Sequence, residues 1–272
     1  MIPRREKVDA FRALHEAGCF IVPNPWDVAG ARMMVAAGFK ALATTSSGFA
    51  FSKGRKDGAG EISRDESLAY AAEIAAATDL PVTADLEDGY AETPQGVAET
   101  VQLAAEAGLA GLSIEDRQPD PYSPIRGYED AVARAACAAD AARRHDIVLT
   151  ARADGLSKGA YGLDEAIRRL RSYEAAGAEV LYAPAVPDLE ALRMLCASVE
   201  RPVNHLVSQG VTGLSVAQIA EAGVRRISVG GSLARAVAGA MLKEIAGLAA
   251  GNFAGIENAP PWSALRSPRF AE

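Results

Sequence analysis

The sequence predicts a (β/α)8 barrel, and three observations carry that prediction. Eight short apolar, β-branched runs recur along the chain, each followed by polar or glycine-rich residues and then by a stretch of helical periodicity. Their starts lie roughly 29 residues apart on average, the size of one βα repeat in a barrel of about 250 residues. Five predicted helices close on an Ala-Gly pair just before the next strand, at Gly18, Gly38, Gly108, Gly177 and Gly223, where a residue tolerant of positive φ is favoured. A doubly wound open sheet is the rival architecture. It would place G-x-G-x-x-G after its first strand, and the chain there reads P-N-P-W-D-V-A-G. Residues 1–272 are expected to form one barrel domain.

In chain order, the first helical segment carries Val8, Phe11 and Leu14 on one face and is expected to pack across the lower end of the barrel. The first three strands fall within Phe20–Asp27, Ala41–Gly48 and Pro81–Asp88. Between the second and third, Leu68, Ala71, Ala72, Ile74 and Ala75 share a helix face, opened by a capping box of Ser63 with Glu66. Thr93-Pro94 then puts a hydroxyl cap before a proline at the first helical position. The other strands fall within Ala110–Arg117, Ile147–Asp154, Glu179–Val186, Arg201–Ser208 and Arg226–Leu233. Ile167, Leu170, Tyr173 and Ala175 share a helix face between the fifth and sixth, and Ser215 with Gln218 forms a second capping box.

Composition narrows the function. The chain is 49% apolar, enough for a large core, and 28 Lys+Arg against 35 Asp+Glu give a net charge of −7. Nucleic acid and anionic membranes are bound through basic surface, so neither is an expected partner, and a small molecule is. Cys19, Cys137 and Cys196 form neither a disulfide framework nor a C-x-x-C pair, which fits a reducing cytoplasm. The first ten residues hold charges where a signal peptide needs an apolar stretch. The apolar segment from Ala236 to Ile256 is interrupted by Lys243, Glu244 and Asn252, too often for a membrane span. A soluble, cytoplasmic protein is expected.

In such a barrel ligands bind at the C-terminal strand ends, and here those ends are acidic. The third strand finishes in Asp85-Leu86-Glu87-Asp88-Gly89-Tyr90 and the fourth in Glu115-Asp116-Arg117. Strand alternation puts Asp85 and Glu87 on one face, where Glu115 of the adjacent strand can join them. Oxygen ligands without a nearby imidazole or thiolate suit Mg²⁺ or Mn²⁺. A salt-bridge network with Arg152 and Arg117 is the alternative use of the same acids. Arg152, near the end of the fifth strand, offers a planar fork to a carboxylate or an anionic intermediate, or serves Glu115 as counter-ion. The small-residue turn from Thr44 to Ala50 exposes N–H groups and hydroxyls suited to a carboxylate, unless it is a plain loop. Gly230-Gly231-Ser232 suits close helix packing better than phosphate binding.

Taken together, T-S-S-G after the second apolar run, A-D-L-E-D-G-Y, S-I-E-D, T-A-R-A, V-L-Y-A-P and R-I-S-V-G-G-S-L-A-R-A resemble the isocitrate lyase/phosphoenolpyruvate mutase superfamily, from about Pro23 to Ala238. The resemblance implies a Mg²⁺-dependent barrel that breaks a C–C or P–C bond of a 2-oxo or 2-hydroxy acid through an enolate. It implies Asp85 as the direct metal ligand, Glu87, Glu115 and Asp57 around the metal waters, and Ser46, Ser47 and Gly48 as the carboxylate-binding turn. It further implies Arg152 as enolate stabiliser and Asn204 as a substrate contact. It also implies a homotetramer or homodimer, often with the last barrel helix exchanged between subunits, and residues from about 240 to 272 would suit such a tail.

Two departures set this chain apart. Glu87 stands where many members have Asp, and Asp88 where an uncharged residue is usual, which is expected to shift the ion or insert a water. The loop from Gln118 to Gly127 reads Q-P-D-P-Y-S-P-I-R-G. It lacks the K-R-C-G-H of isocitrate and methylisocitrate lyases, and the asparagine and lysine of phosphonopyruvate-processing members. Cleavage or decarboxylation of a small dicarboxylic acid is the reading that remains, with Tyr90, Tyr122 and His205 as candidate proton donors and Arg126 for a distal carboxylate. His205 neighbours Asn204, and alternation lets only one of them face inward. The rivals are a phosphonate mutase or hydrolase, and a barrel that binds a small acid without turning it over.

Overall fold

The computed structural model describes residues 2–208 and 213–262. Helix α1 (Arg4–Glu16) leads into β1 (Phe20–Val22), α2 (Val28–Ala36), β2 (Leu42–Ala43), α3 (Ser46–Ser52) and α4 (Arg64–Ala76). Then come β3 (Val82–Asp85), α5 (Pro94–Glu106), β4 (Gly111–Glu115), α6 (Tyr128–His145), β5 (Val148–Arg152), α7 (Gly155–Lys158) and α8 (Leu163–Ala176). The chain continues through β6 (Val180–Tyr182), α9 (Leu189–Ala197), β7 (Val203–Leu206), α10 (Val216–Glu221), β8 (Arg226–Ser228), α11 (Ser232–Ala249) and α12 (Ala254–Glu257).

Every expected run contains its strand, and the strands pair in parallel in the order β1-β8-β7-β6-β5-β4-β3-β2. The ring closes between β1 and β2 through one bond just beyond the β1 end, Ala43 N–H to Pro23 O at 3.0 Å. Both capping boxes form, and Thr93 caps α5 ahead of Pro94. The five glycines before strands all adopt positive φ, from 76° at Gly18 to 107° at Gly177.

Strand alternation divides the core in two. Outward residues such as Leu42, Leu112, Leu149, Leu181 and Ile227 pack under the helices. Inward Val22, Ala43, Val148 and Val180 meet Val8 and Phe11, so α1 plugs the lower end as the sequence predicts. Phe11 is fully buried there, which contributes about 1.5–3 kcal/mol. Above this apolar plug the inward positions turn polar, with Thr83, Ser113, Thr150 and Asn204 leading up to Asp85, Glu115 and Arg152. Cys137 and Cys196 lie in helices and Cys19 just before β1, all three as free thiols.

Helix α11 is the exception to this packing. Of α11 only Ala234 is buried, while Val237, Met241, Leu242 and Ile245 are exposed. The expected tail lies outside the described residues from Ser263 onward. Among the described residues no helix is long and apolar enough to cross a membrane.

Candidate active site

The acidic strand ends meet at the upper mouth of the barrel, by a route that alternation alone does not give. β3 stops at Asp85, and the chain turns through Glu87 (φ 46°), Gly89 (φ 86°) and Tyr90 (φ 51°) in the left-handed region. Glu87 is therefore brought beside Asp85 by a tight turn rather than by a continuing strand. The turn still follows β4, because Glu115 N–H donates to Glu87 O at 2.9 Å. Asp88 pairs with Arg126 at 2.6 Å, and both line the cavity that Glu87 borders.

Arg152 is the hub. Nη1 reaches Asp85 Oδ1 at 2.9 Å, Nη2 reaches Glu115 Oε2 at 2.8 Å and Asp154 Oδ1 at 2.9 Å, and the guanidinium lies over the Tyr182 ring. Arg117 reaches Glu115 at 3.5 Å and Asp57 at 3.9 Å. The salt-bridge network weighed as an alternative thus exists, but it is unbalanced, with five carboxylates facing two guanidiniums. The imbalance shows in the acids themselves. Burial, reinforced by Asp57 and Asp85, pushes Glu87 up to about 7 even though Tyr90 donates to it. Burial also raises Glu115 well above the usual carboxylate range, with Asp154 and Asp85 reinforcing it against the opposing pull of Arg152, and burial together with Asp85 raises Asp57.

This excess of oxygen donors fits a hard divalent cation, which would relieve the repulsion that the arginines leave. Among the described residues no three acidic, histidine or cysteine side chains already converge as a closed ligand set. The fit is therefore to a cation such as Mg²⁺ that retains several waters and takes few direct protein ligands.

The turn after β2 is the first turn of a helix, not a loop. Thr45 caps α3 by accepting from Gly48 N–H, and Ser46 donates to Asp85 Oδ2 through both N–H, at 3.2 Å, and Oγ, at 2.9 Å. Ser47 Oγ meets Thr45 Oγ1 at 3.1 Å. Gly48 is required by packing, since a Cβ there would lie 2.7 Å from Thr45 Cγ2. Of the expected carboxylate-binding turn, Ser46 aims at Asp85, while Gly48 N–H is already used by the cap.

Asn204 lines the central cavity, with its Nδ2 donating to Ser228 Oγ at 3.0 Å, and His205 faces outward with a pKa lowered by burial. Tyr90 donates to Glu87 Oε1 at 2.9 Å. Tyr122 is 96% exposed in its loop. Arg126 pairs with Asp88 and, at 3.3 Å, with Asp130, while it lines the cavity that Glu87 and Glu115 border and its Nε has no partner among the described residues.

Cavities of different size adjoin the cluster. A larger one of about 310 Å³ is bordered by Glu87, Tyr90, Glu115, Arg117 and Pro119. A smaller one of about 60 Å³ runs into the barrel past Asp85, Arg152, Tyr182, Asn204 and Arg226. Sequence reasoning left Asp154, Asn24 and Arg226 out of the site. Asp154 was findable, two residues beyond Arg152 and just past the end of β5. Asn24 links three strand ends, with Nδ2 donating to Thr44 O and Oδ1 accepting from Val229 and Gly230 N–H, and no motif announces that.

A profile of the phosphoenolpyruvate phosphomutase family matches residues 11–249. The 2-methylisocitrate lyase of Escherichia coli (strain K12) is 31% identical over 204 residues, covering 70% of this chain and 68% of that one. Among solved structures, a candidate lyase/mutase from Burkholderia cenocepacia J2315 is 44% identical with a TM-score of 0.92, covering 97% of both chains. A 2,3-dimethylmalate lyase, described as a member of the PEP mutase/isocitrate lyase superfamily, is 29% identical with a TM-score of 0.79, covering 90% of this chain and 88% of that one.

Proposed function

Since this chain belongs to the phosphoenolpyruvate mutase/isocitrate lyase superfamily, and so to its carbon–carbon lyase type of enzyme, we propose that it cleaves or decarboxylates a small 2-oxo or 2-hydroxy dicarboxylic acid through an enolate. The observation that carries this reading is Arg152 held among Asp85, Glu115 and Asp154 at the barrel mouth. When the C–C bond breaks, its electron pair delocalises onto carboxyl or keto oxygens. A guanidinium already fixed by three carboxylates meets that charge without reorganising. Ser46 holds Asp85 in place, and Asn204 presents its amide to the cavity. Tyr90, whose phenol is kept protonated by burial and by Glu87, carries a proton at Oη for the resulting carbanion. Asp85, with Glu87, Glu115 and Asp57 about it, would hold Mg²⁺ or Mn²⁺. Bound there, the ion supplies Lewis-acid charge against the developing enolate. The Gln118–Gly127 loop holds neither lysine nor asparagine for a phosphoryl group, which favours C–C over P–C chemistry.

A coupled assay for pyruvate or oxalate release over C4 to C7 diacids tests the reading. Turnover of one acid with Mg²⁺ and its loss with EDTA are expected. Phosphate release or rearrangement of phosphonopyruvate instead would move the protein to P–C chemistry, and binding without any turnover would leave a non-catalytic barrel.

We also infer that α11 lies against a second copy of the chain in a homodimer or homotetramer. Its exposed Leu233, Val237, Met241, Leu242 and Ile245 form an apolar surface that a monomer leaves in water. Light scattering on the eluting protein should give twice or four times 28.3 kDa.

A further inference from the structure

The inside of the barrel contains a second arginine that the scheme above does not use. Arg226, the first residue of β8, is 4% exposed and lines the base of the small cavity that has Asp85 and Arg152 at its top. Its Nε donates to Asn204 Oδ1 at 2.8 Å and its Nη2 to Thr150 Oγ1 at 3.1 Å, while Nη1 is buried with no partner. Both partners are neutral. Beneath it lies the Phe11 ring, 6.0 Å from the guanidinium carbon. Burial, with the charge of Arg152 adding to it, pulls its pKa down to about 10, so it stays charged at neutral pH.

An unpaired buried cation costs several kcal/mol, and apolar side chains of similar volume often replace buried charges with no loss of stability. Other buried arginines of this chain are neutralised. Arg152 has three carboxylates, Arg169 has Asp116 at 2.9 Å, and Arg134 has Asp130 at 3.2 Å. Arg226 alone among these sits against neutral groups, and it does so where the cavity ends.

We propose that Arg226 is the anion anchor of the substrate cavity: its free Nη1–H and uncompensated charge take a carboxylate oxygen, so that the site selects acids charged at both ends. The cavity, about 60 Å³, has room for such a group, since one water needs only about 10–15 Å³ on the same measure. The bond to Asn204 Oδ1 gives Arg226 a second effect, because it turns the Asn204 Nδ2 donor toward Ser228 and the cavity. This inference rests on the lyase reading above.

Calorimetric titration with two probes in the presence of Mg²⁺ tests it: oxalate, charged at both ends, and oxamate, neutral at one. Wild type should bind oxalate at least tenfold more tightly than oxamate. Arg226→Met should reduce that ratio to less than threefold with an unchanged or higher Tm, and Arg226→Lys should retain it. If Arg226→Met fails to fold, Arg226→Gln, which keeps donors without the charge, serves in the same titration with the same expected loss. A variant without charge that keeps the full ratio overturns the anchor and leaves the lyase reading standing, as does a lowered Tm with the ratio intact, the signature of a packing role. Wild type that binds neither acid overturns the lyase reading and the anchor with it.

Discussion

Glu115 and Asp116 are consecutive, both acidic and both buried, yet they do opposite things. Asp116 faces outward from β4 and accepts from Asp154 N–H at 2.7 Å, Tyr161 Oη at 2.8 Å, Arg169 Nη1 at 2.9 Å and Tyr173 Oη at 3.3 Å. One cation and three neutral donors hold it, and it is burial that still lifts its carboxyl above the ordinary value. Glu115 faces inward and shares Arg152 and Arg117 with Asp85, Asp57 and Asp154. A balanced buried charge serves the fold. A cluster with more acid than base spends stability to hold a field ready for something that arrives from solution.

Substitutions can break this contrast, and the largest effect belongs to Asp85. Asp85→Ala should abolish turnover and weaken Mn²⁺ binding measured by electron paramagnetic resonance. Its unfolding free energy should stay within about 1 kcal/mol of wild type, because like-charge repulsion is relieved as the Ser46 bonds are lost. An unfolded Asp85→Ala, or one with full metal affinity, would erase the distinction between the two faces. Next comes Asp116→Ala, which leaves the buried Arg169 with only the more exposed Glu165 and takes the acceptor from Tyr161, Tyr173 and Asp154 N–H, and should cost about 3–5 kcal/mol in urea denaturation. The fraction that remains folded should keep its kcat. Glu115→Gln should change stability by only about 1 kcal/mol, since Arg152 retains Asp85 and Asp154, while kcat falls by about 10²-fold as the fork loses its anchor.

The smallest effect is a pH slope. Glu87 has its folded pKa raised to about 7, so between the ordinary carboxylate value and 7 the native protein holds a proton that the unfolded chain has released. Metal-free stability must therefore fall as pH rises through that window. Thermal melts of Glu87→Gln should lack this part of the slope, and an identical profile for wild type and variant would show that the cluster is not crowded.

The fold was legible because its signals are local. Apolar runs, the Ser63 and Ser215 capping boxes and the glycines before strands each act within a few residues, and each formed as expected. Asp85, Glu115 and Arg152 were legible because strand ends converge in any closed sheet. Positions set by backbone torsion or by distant partners were not. Glu87 arrives through a left-handed turn that the D-L-E-D-G-Y string does not announce. Arg126 meets Asp88 from 38 residues away. Arg226 looks like one of two surface arginines opening a strand, and only the barrel's closure shows that Phe11 and Thr150 enclose it.

The joint between β1 and β2 is the thinnest part of the ring, a single backbone bond plus the Asn24 side chain strung from Thr44 to Val229 and Gly230. A hoop with one weak weld parts there first. Amides around Ala43 and Val229 should be the earliest of any strand neighbourhood to trade hydrogen for deuterium. The same carboxamide ties the strand ends on either side of the gap, so whatever loosens the weld also slackens the rim where catalysis would occur.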